Sequence, residues 1–236
     1  MSALFFGRDD GFYYRASGAE LRWTSERGAK LDWRLFGEQQ RPATQRTSYS
    51  VGGAFDPNIV ATTGASAGAS VRWLHSYGLD PRGFRSFADF RAEAAGGDSV
   101  YGRGALDVTL STGLPKSLAA ALTLAGGTSV GHVPPQRRWY LGGTHTIRGQ
   151  SPDTAQNGNA FWMTRAELGR EVFGSRLMLF GDLGWVGDRS AFTFARPMSA
   201  AGIGTSMFDG MLRFDVARGF YPRRQTRVAA YLEARF

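Results

Sequence analysis

The chain has 236 residues, which allows one or two domains. Its 32 glycines, 13% aromatic residues and 42% hydrophobic residues suit a soluble domain. They suit equally a membrane barrel, whose strands show only half their residues to lipid. The net charge is +8, carried almost wholly by arginines that are scattered rather than clustered. A nucleic-acid reader would show a basic stripe with interleaved aromatics, so no nucleic-acid partner is expected. No apolar run approaches the roughly 18 residues of a spanning helix. Cysteine is absent, which excludes a disulfide framework and a thiolate metal site.

Met1 to Asp10 lack a basic region followed by a long apolar core, so no secretory leader is expected there. From then on apolar and polar residues alternate, which predicts strands. Leu21 and Trp23 alternate with Glu20 and Arg22, and Leu31, Trp33 and Leu35 with Asp32 and Arg34. Ala69, Val71 and Trp73 alternate with Ser70 and Arg72, and Ala88, Phe90 and Ala92 with Asp89, Arg91 and Glu93. Leu106, Val108 and Leu110 alternate with Asp107, Thr109 and Ser111, and Leu118 to Leu124 form another apolar face. After a long polar loop come Trp162 to Leu168, with Arg165 and Glu167 opposite, and Leu177 to Trp185, with Phe180 and Asp182 opposite. A Gly-rich stretch near 201–208 is followed by Leu212, Phe214 and Val216, with Arg213 and Asp215 opposite. The last stripe is Val228, Ala230, Leu232, Ala234 and Phe236.

These eleven segments are each about the ten residues that a tilted barrel strand needs. Each has one apolar face and one face too charged for casual surface, as expected for lipid outside and a wet lumen inside. The links alternate in length. Ser25–Gly28, the link through Gly78, Asp80, Pro81 and Arg82, Gly113–Lys116, Phe173–Ser175 and the Asp209-Gly210 hairpin are short, whereas 39–62, 128–159, 187–197 and 219–225 are longer. That is the pattern of periplasmic turns and extracellular loops. Trp162, Trp185 and Phe220 fall near the expected outer ends, where aromatic girdles sit. The fold class is therefore read as all-β, a transmembrane antiparallel β-barrel.

The longest loop carries Leu141-Gly142-Gly143-Thr144-His145-Thr146-Ile147-Arg148-Gly149-Gln150. An arginine folded into a lumen needs a partner, because a desolvated charge is costly unless paired. Phe180-Gly181-Asp182-Leu183-Gly184 offers one. Together these residues resemble the BamA/TamA family of outer-membrane assembly barrels. In that family a Gly-Gly pair precedes a Val/Ile-Arg-Gly-Phe/Tyr tip on the sixth extracellular loop. Gly142, Gly143, Ile147, Arg148 and Gly149 match it, and Gln150 stands where the family has an aromatic.

The resemblance implies that Arg148 crosses the lumen to Asp182. Phe180, Asp182 and Gly184 match a Phe-x-Asp-x-Gly motif on the thirteenth strand, and Glu167 matches an acidic residue on the twelfth. It implies a lock that pins the loop against the wall. It also implies that the chain is the C-terminal part of a sixteen-stranded barrel, residues 1–236 forming one partial barrel domain without the periplasmic repeats. The implied location is the bacterial outer membrane. The implied partners are lipid, unfolded outer-membrane or secreted client proteins, and the insertion machinery, which reads a terminal strand such as that holding Leu232, Ala234 and Phe236.

No enzyme, cofactor or metal is expected. Gly64-Ala65-Ser66-Ala67-Gly68 has the nucleophile-elbow spacing but lies in a strand pattern with no helix after it. His75, His132 and His145 have no metal-ligand spacing. Three functions compete: assembly or translocation of proteins, a passive pore or anchoring barrel of the kind appended to a patatin-like lipase, and a soluble β-sandwich lectin.

Overall fold

The computed structural model describes residues 12–44, 49–50, 53–54, 58–152, 156–207 and 211–232. Eleven strands form one antiparallel sheet in which every strand pairs with its neighbours in sequence. They are β1 (Tyr14–Arg27), β2 (Ala29–Pro42), β3 (Gly64–Tyr77), β4 (Arg85–Gly97), β5 (Tyr101–Leu114) and β6 (Leu118–Gly131). After the long loop come β7 (Ala160–Val172), β8 (Ser175–Gly187), β9 (Met198–Met207), β10 (Leu212–Tyr221) and β11 (Thr226–Leu232). Two small ladders lie outside the sheet, Tyr49–Ser50 with Gly53–Ala54 and Trp139–Tyr140 with Asn157–Gly158. The strand count matches the sequence expectation. Many strands are longer than expected, at 13 or 14 residues, because Gly, Ala and polar residues extend them past the clear alternation. Among the described residues β1 and β11 are not paired with each other, so closure of the sheet is not part of the described structure. The Asp209-Gly210 turn, Ala234, Phe236 and residues 1–11 lie outside the described residues.

The two faces of the wall invert the usual distribution of polarity. Leu21, Leu35, Leu124, Leu179, Val216 and Val228 stand exposed on one side. Arg165, Asp182, Arg213, Asp215 and Arg227 are buried on the other. A period of two sends successive side chains to opposite faces, so this inversion follows directly from the alternation. An apolar outer face with a charged interior is the arrangement a strand wall adopts against lipid. Charged ladders run along the inner face: Arg72 meets Asp89 through two bonds of 2.8 and 3.0 Å, and Arg91 meets Asp107.

The apolar core is small and is built between the long loop and the wall. Leu141 and Ile147 of the loop pack with Ala125, Met163, Met198 and Ala200. Val133 of the same loop packs with Phe36, Ala95 and Tyr101. One girdle expectation is corrected. Trp185 is buried, because Phe192 of the β8–β9 link folds over it edge-on, with ring centroids 5.4 Å apart.

Candidate functional site

The β6–β7 loop folds back onto the inner wall. Gly142 and Gly143 begin its tip with φ of 124° and 94°, in the region where a Cβ is strained. The turn closes through Gly143 N–H to the Gln150 carbonyl (2.7 Å) and Gln150 N–H to the Ile147 carbonyl (3.0 Å). The Thr146 hydroxyl adds a 2.8 Å bond to the Gly142 carbonyl. This presents Ile147, Arg148, Gly149 and Gln150 to the wall as one block.

Each of those four residues meets its own feature of the wall. The Arg148 guanidinium donates from Nε to Asp182 Oδ2 (2.8 Å), from Nη2 to Asp182 Oδ1 (2.5 Å) and from Nη1 to Glu167 Oε1 (2.6 Å). Its backbone N–H also donates to Asp182 Oδ2, at 3.0 Å. The guanidinium carbon lies 3.6 Å from the centre of the Phe180 ring, a cation–π contact. Phe180, Asp182 and Gly184 are two residues apart on β8, so all three face inward. The physical content of the Phe-x-Asp-x-Gly spacing is therefore a stacking surface, a carboxylate and a gap. The gap is needed: a Cβ on Gly184 would lie 3.0 Å from Ile147 Cδ1 and 3.1 Å from Leu141 Cδ1. Ile147 itself is fully buried.

Gly149 permits the closest approach. A Cβ there would stand 2.5 Å from the Gly219 nitrogen and 2.7 Å from Ala200 Cβ. Gln150 is 1% exposed. Its amide nitrogen donates to the carbonyls of Tyr221 (2.9 Å), at the end of β10, and Arg223 (3.0 Å), in the β10–β11 link. Arg227 donates back to the Gln150 carbonyl. A polar tip thus docks by hydrogen bonds on backbone where an aromatic would dock by packing.

The sequence reading anticipated Arg148, Asp182 and Glu167, and the structure brings all three together. It also adds Arg165, Arg213 and Asp215. Arg213 donates to Glu167 (2.9 Å) and Asp215 (3.0 Å), and the Tyr231 hydroxyl donates to Asp215 (2.7 Å). Three arginines then face three carboxylates, which leaves the cluster formally neutral. Burial lowers the proton affinity of the Arg148 guanidinium, but Asp182 and Glu167 more than offset this and its pKa is raised. Alternation had already placed Arg213 and Asp215 on the inner face, but nothing in the sequence indicated that they join this cluster.

A second anchor was missed. Arg137, at the start of the loop, is 7% exposed. It donates to Glu38 of β2 (2.6 Å) and forms a longer contact with Glu93 of β4 (3.5 Å). The Tyr101 hydroxyl holds Glu93 (2.8 Å), Arg103 donates to the Arg137 carbonyl (3.1 Å), and Gln136 bonds Gln40. No motif marks Arg137; the available signal was two carboxylates on inward positions of β2 and β4. The loop is therefore held at one end by β2 and β4 and at the other by β7, β8 and β10. Leu232 stands 69% exposed on the outer face at the end of β11. Among the described residues no group of His and acidic side chains is placed to hold a metal.

No family model matches the chain, and no curated protein matches it in sequence. Solved structures do. CdiB from Acinetobacter baumannii matches with a TM-score of 0.67 at 15% identity, over 92% of this chain and 41% of that one. BamA from Haemophilus ducreyi, solved without POTRA domains 1–3, matches with a TM-score of 0.68 at 14% identity, over 92% and 54%. The chain shares their barrel fold. It spans about half the length of each protein or less, and at these identities the likeness concerns the fold alone.

Proposed function

We propose that the chain is part of an outer-membrane β-barrel that inserts proteins into, or moves them across, the bacterial outer membrane, with the long loop as its internal lock. The observation that carries this reading is the buried Arg148 guanidinium, which meets Asp182 with both its side chain and its backbone and reaches Glu167 as well. A passive pore needs no such strap. A barrel that must stay sealed at rest and deform during work needs one. The exposed apolar face supports a lipid setting, and the likeness in fold to BamA and CdiB barrels is in keeping with it.

In this reading the eleven described strands belong to a closed wall, because open strand edges are not tolerated in lipid. The last described strand, Thr226–Leu232, belongs to the segment that insertion machinery would read by strand addition. The full-length protein, reconstituted in liposomes, is expected to speed the folding of a urea-unfolded outer-membrane barrel, and Asp182→Asn to remove the gain. Equal folding rates with and without the protein, combined with an open conductance, would favour the pore or anchor reading.

A further inference from the structure

Arg165 is a buried cation that the docked loop leaves underused. It lies on β7, directly across the ladder from Asp182 and two residues before Glu167 on the same face. Both carboxylates are within reach, with closest approaches of 3.8 Å to each. Yet among the described residues its one hydrogen bond is from Nη1 to the His145 carbonyl of the loop, at 3.0 Å. Its Nε and Nη2 are buried and have no hydrogen-bond partner among the described residues. Unpaired buried donors are costly, more so on a charged group. Arg148 instead takes the hydrogen bonds of these two carboxylates, donating to both oxygens of Asp182 and to Glu167 Oε1.

We infer that Arg165 is the standby partner of the lock: when the loop tip withdraws Arg148, Arg165 turns from the His145 carbonyl onto Asp182 and Glu167. The charge count supports this. With the loop docked, Arg148, Arg165 and Arg213 face Glu167, Asp182 and Asp215. Without it the wall keeps two arginines and three carboxylates, and each carboxylate still has a guanidinium within reach. Arg213 already holds Asp215 and Glu167, which leaves Asp182 for Arg165. Arg165 belongs to the wall and stays when the loop leaves. Removing one partner of a buried pair normally strands a charge; the standby arginine removes that obstacle and makes docking reversible. The inference concerns the local exchange and holds whether the barrel exports proteins or anchors them.

The test uses the full chain in isolated outer membranes, with the temperature of its heat-dependent gel-mobility shift as readout. Arg148→Met and Arg165→Met keep the apolar stems and delete the charges. Either change alone is expected to lower the midpoint modestly, and the double variant to lower it by more than the two shifts combined. Adding Asp182→Asn to the double variant is expected to recover most of that excess, because the stranded carboxylate is gone. Shifts that add, or a double variant no worse than the worse single one, would overturn the proposal. If the double variant does not fold, recovery of folding by Asp182→Asn supports the exchange and failure to recover contradicts it.

Discussion

Gly149→Ala tests the docking by shape alone, because it leaves every charge in place. The added Cβ would sit 2.5 Å from the Gly219 nitrogen and 2.7 Å from Ala200 Cβ, where ordinary contacts run from 3.4 to 4 Å. Both obstacles belong to the wall, one to its backbone and one to a side chain with no rotamer to change. The tip must therefore retreat by about 1 Å, the difference between clash and contact. Arg148 N–H lies 3.0 Å from Asp182 and would move out of hydrogen-bond range. Overpacking of this kind costs about 1–3 kcal/mol, or roughly 5–150-fold in the undocking equilibrium at about 1.4 kcal/mol per tenfold. The chain has no cysteine, so Thr144→Cys, at a buried tip position, gives one reactive thiol. Maleimide labelling of that thiol is expected to quicken by the same factor in Gly149→Ala. An unchanged rate would refute the close approach of tip to wall.

Other perturbations separate the parts of the site. Gly184→Ala meets flexible side-chain ends at 3.0 and 3.1 Å, besides the Trp162 carbonyl at 3.0 Å; it is expected to quicken the same labelling less than Gly149→Ala, and a larger effect would contradict the ranking. Gln150→Leu leaves the Tyr221 and Arg223 carbonyls without their amide donor. It is expected to cost about 1–3 kcal/mol, read as a lower mobility-shift midpoint, and no change would mean that Gln150 is not an anchor. Arg137→Met frees the first limb of the loop from Glu38 and Glu93. It should quicken tryptic cleavage after Arg138 without changing labelling at position 144, whereas coupled changes would show that the two anchors act as one.

What was legible in the sequence was whatever alternation or a local motif could carry. Strand number and the inward parity of Arg165, Glu167, Asp182, Arg213 and Asp215 follow from period two; the Arg148–Asp182 partnership was what the family resemblance implied. What escaped depends on distance in sequence. Arg137 and Glu38 are 99 residues apart, and no local pattern links them. Trp185 looked like a girdle residue because parity gives its face but not the link that covers it. Gln150 read as a departure from a motif, and only the β10–β11 link explains what its amide binds.

The most direct measurement is the double-mutant cycle of Arg148→Met and Asp182→Asn, with mobility-shift midpoints taken on the full chain in outer membranes. Groups in contact couple by about 0.5–3 kcal/mol, while distant sites add to within about 0.5 kcal/mol. The docked loop predicts strong coupling, with the double variant no less stable than the worse single one. Additive losses would mean that Arg148 and Asp182 do not meet, and that the loop does not lock the wall.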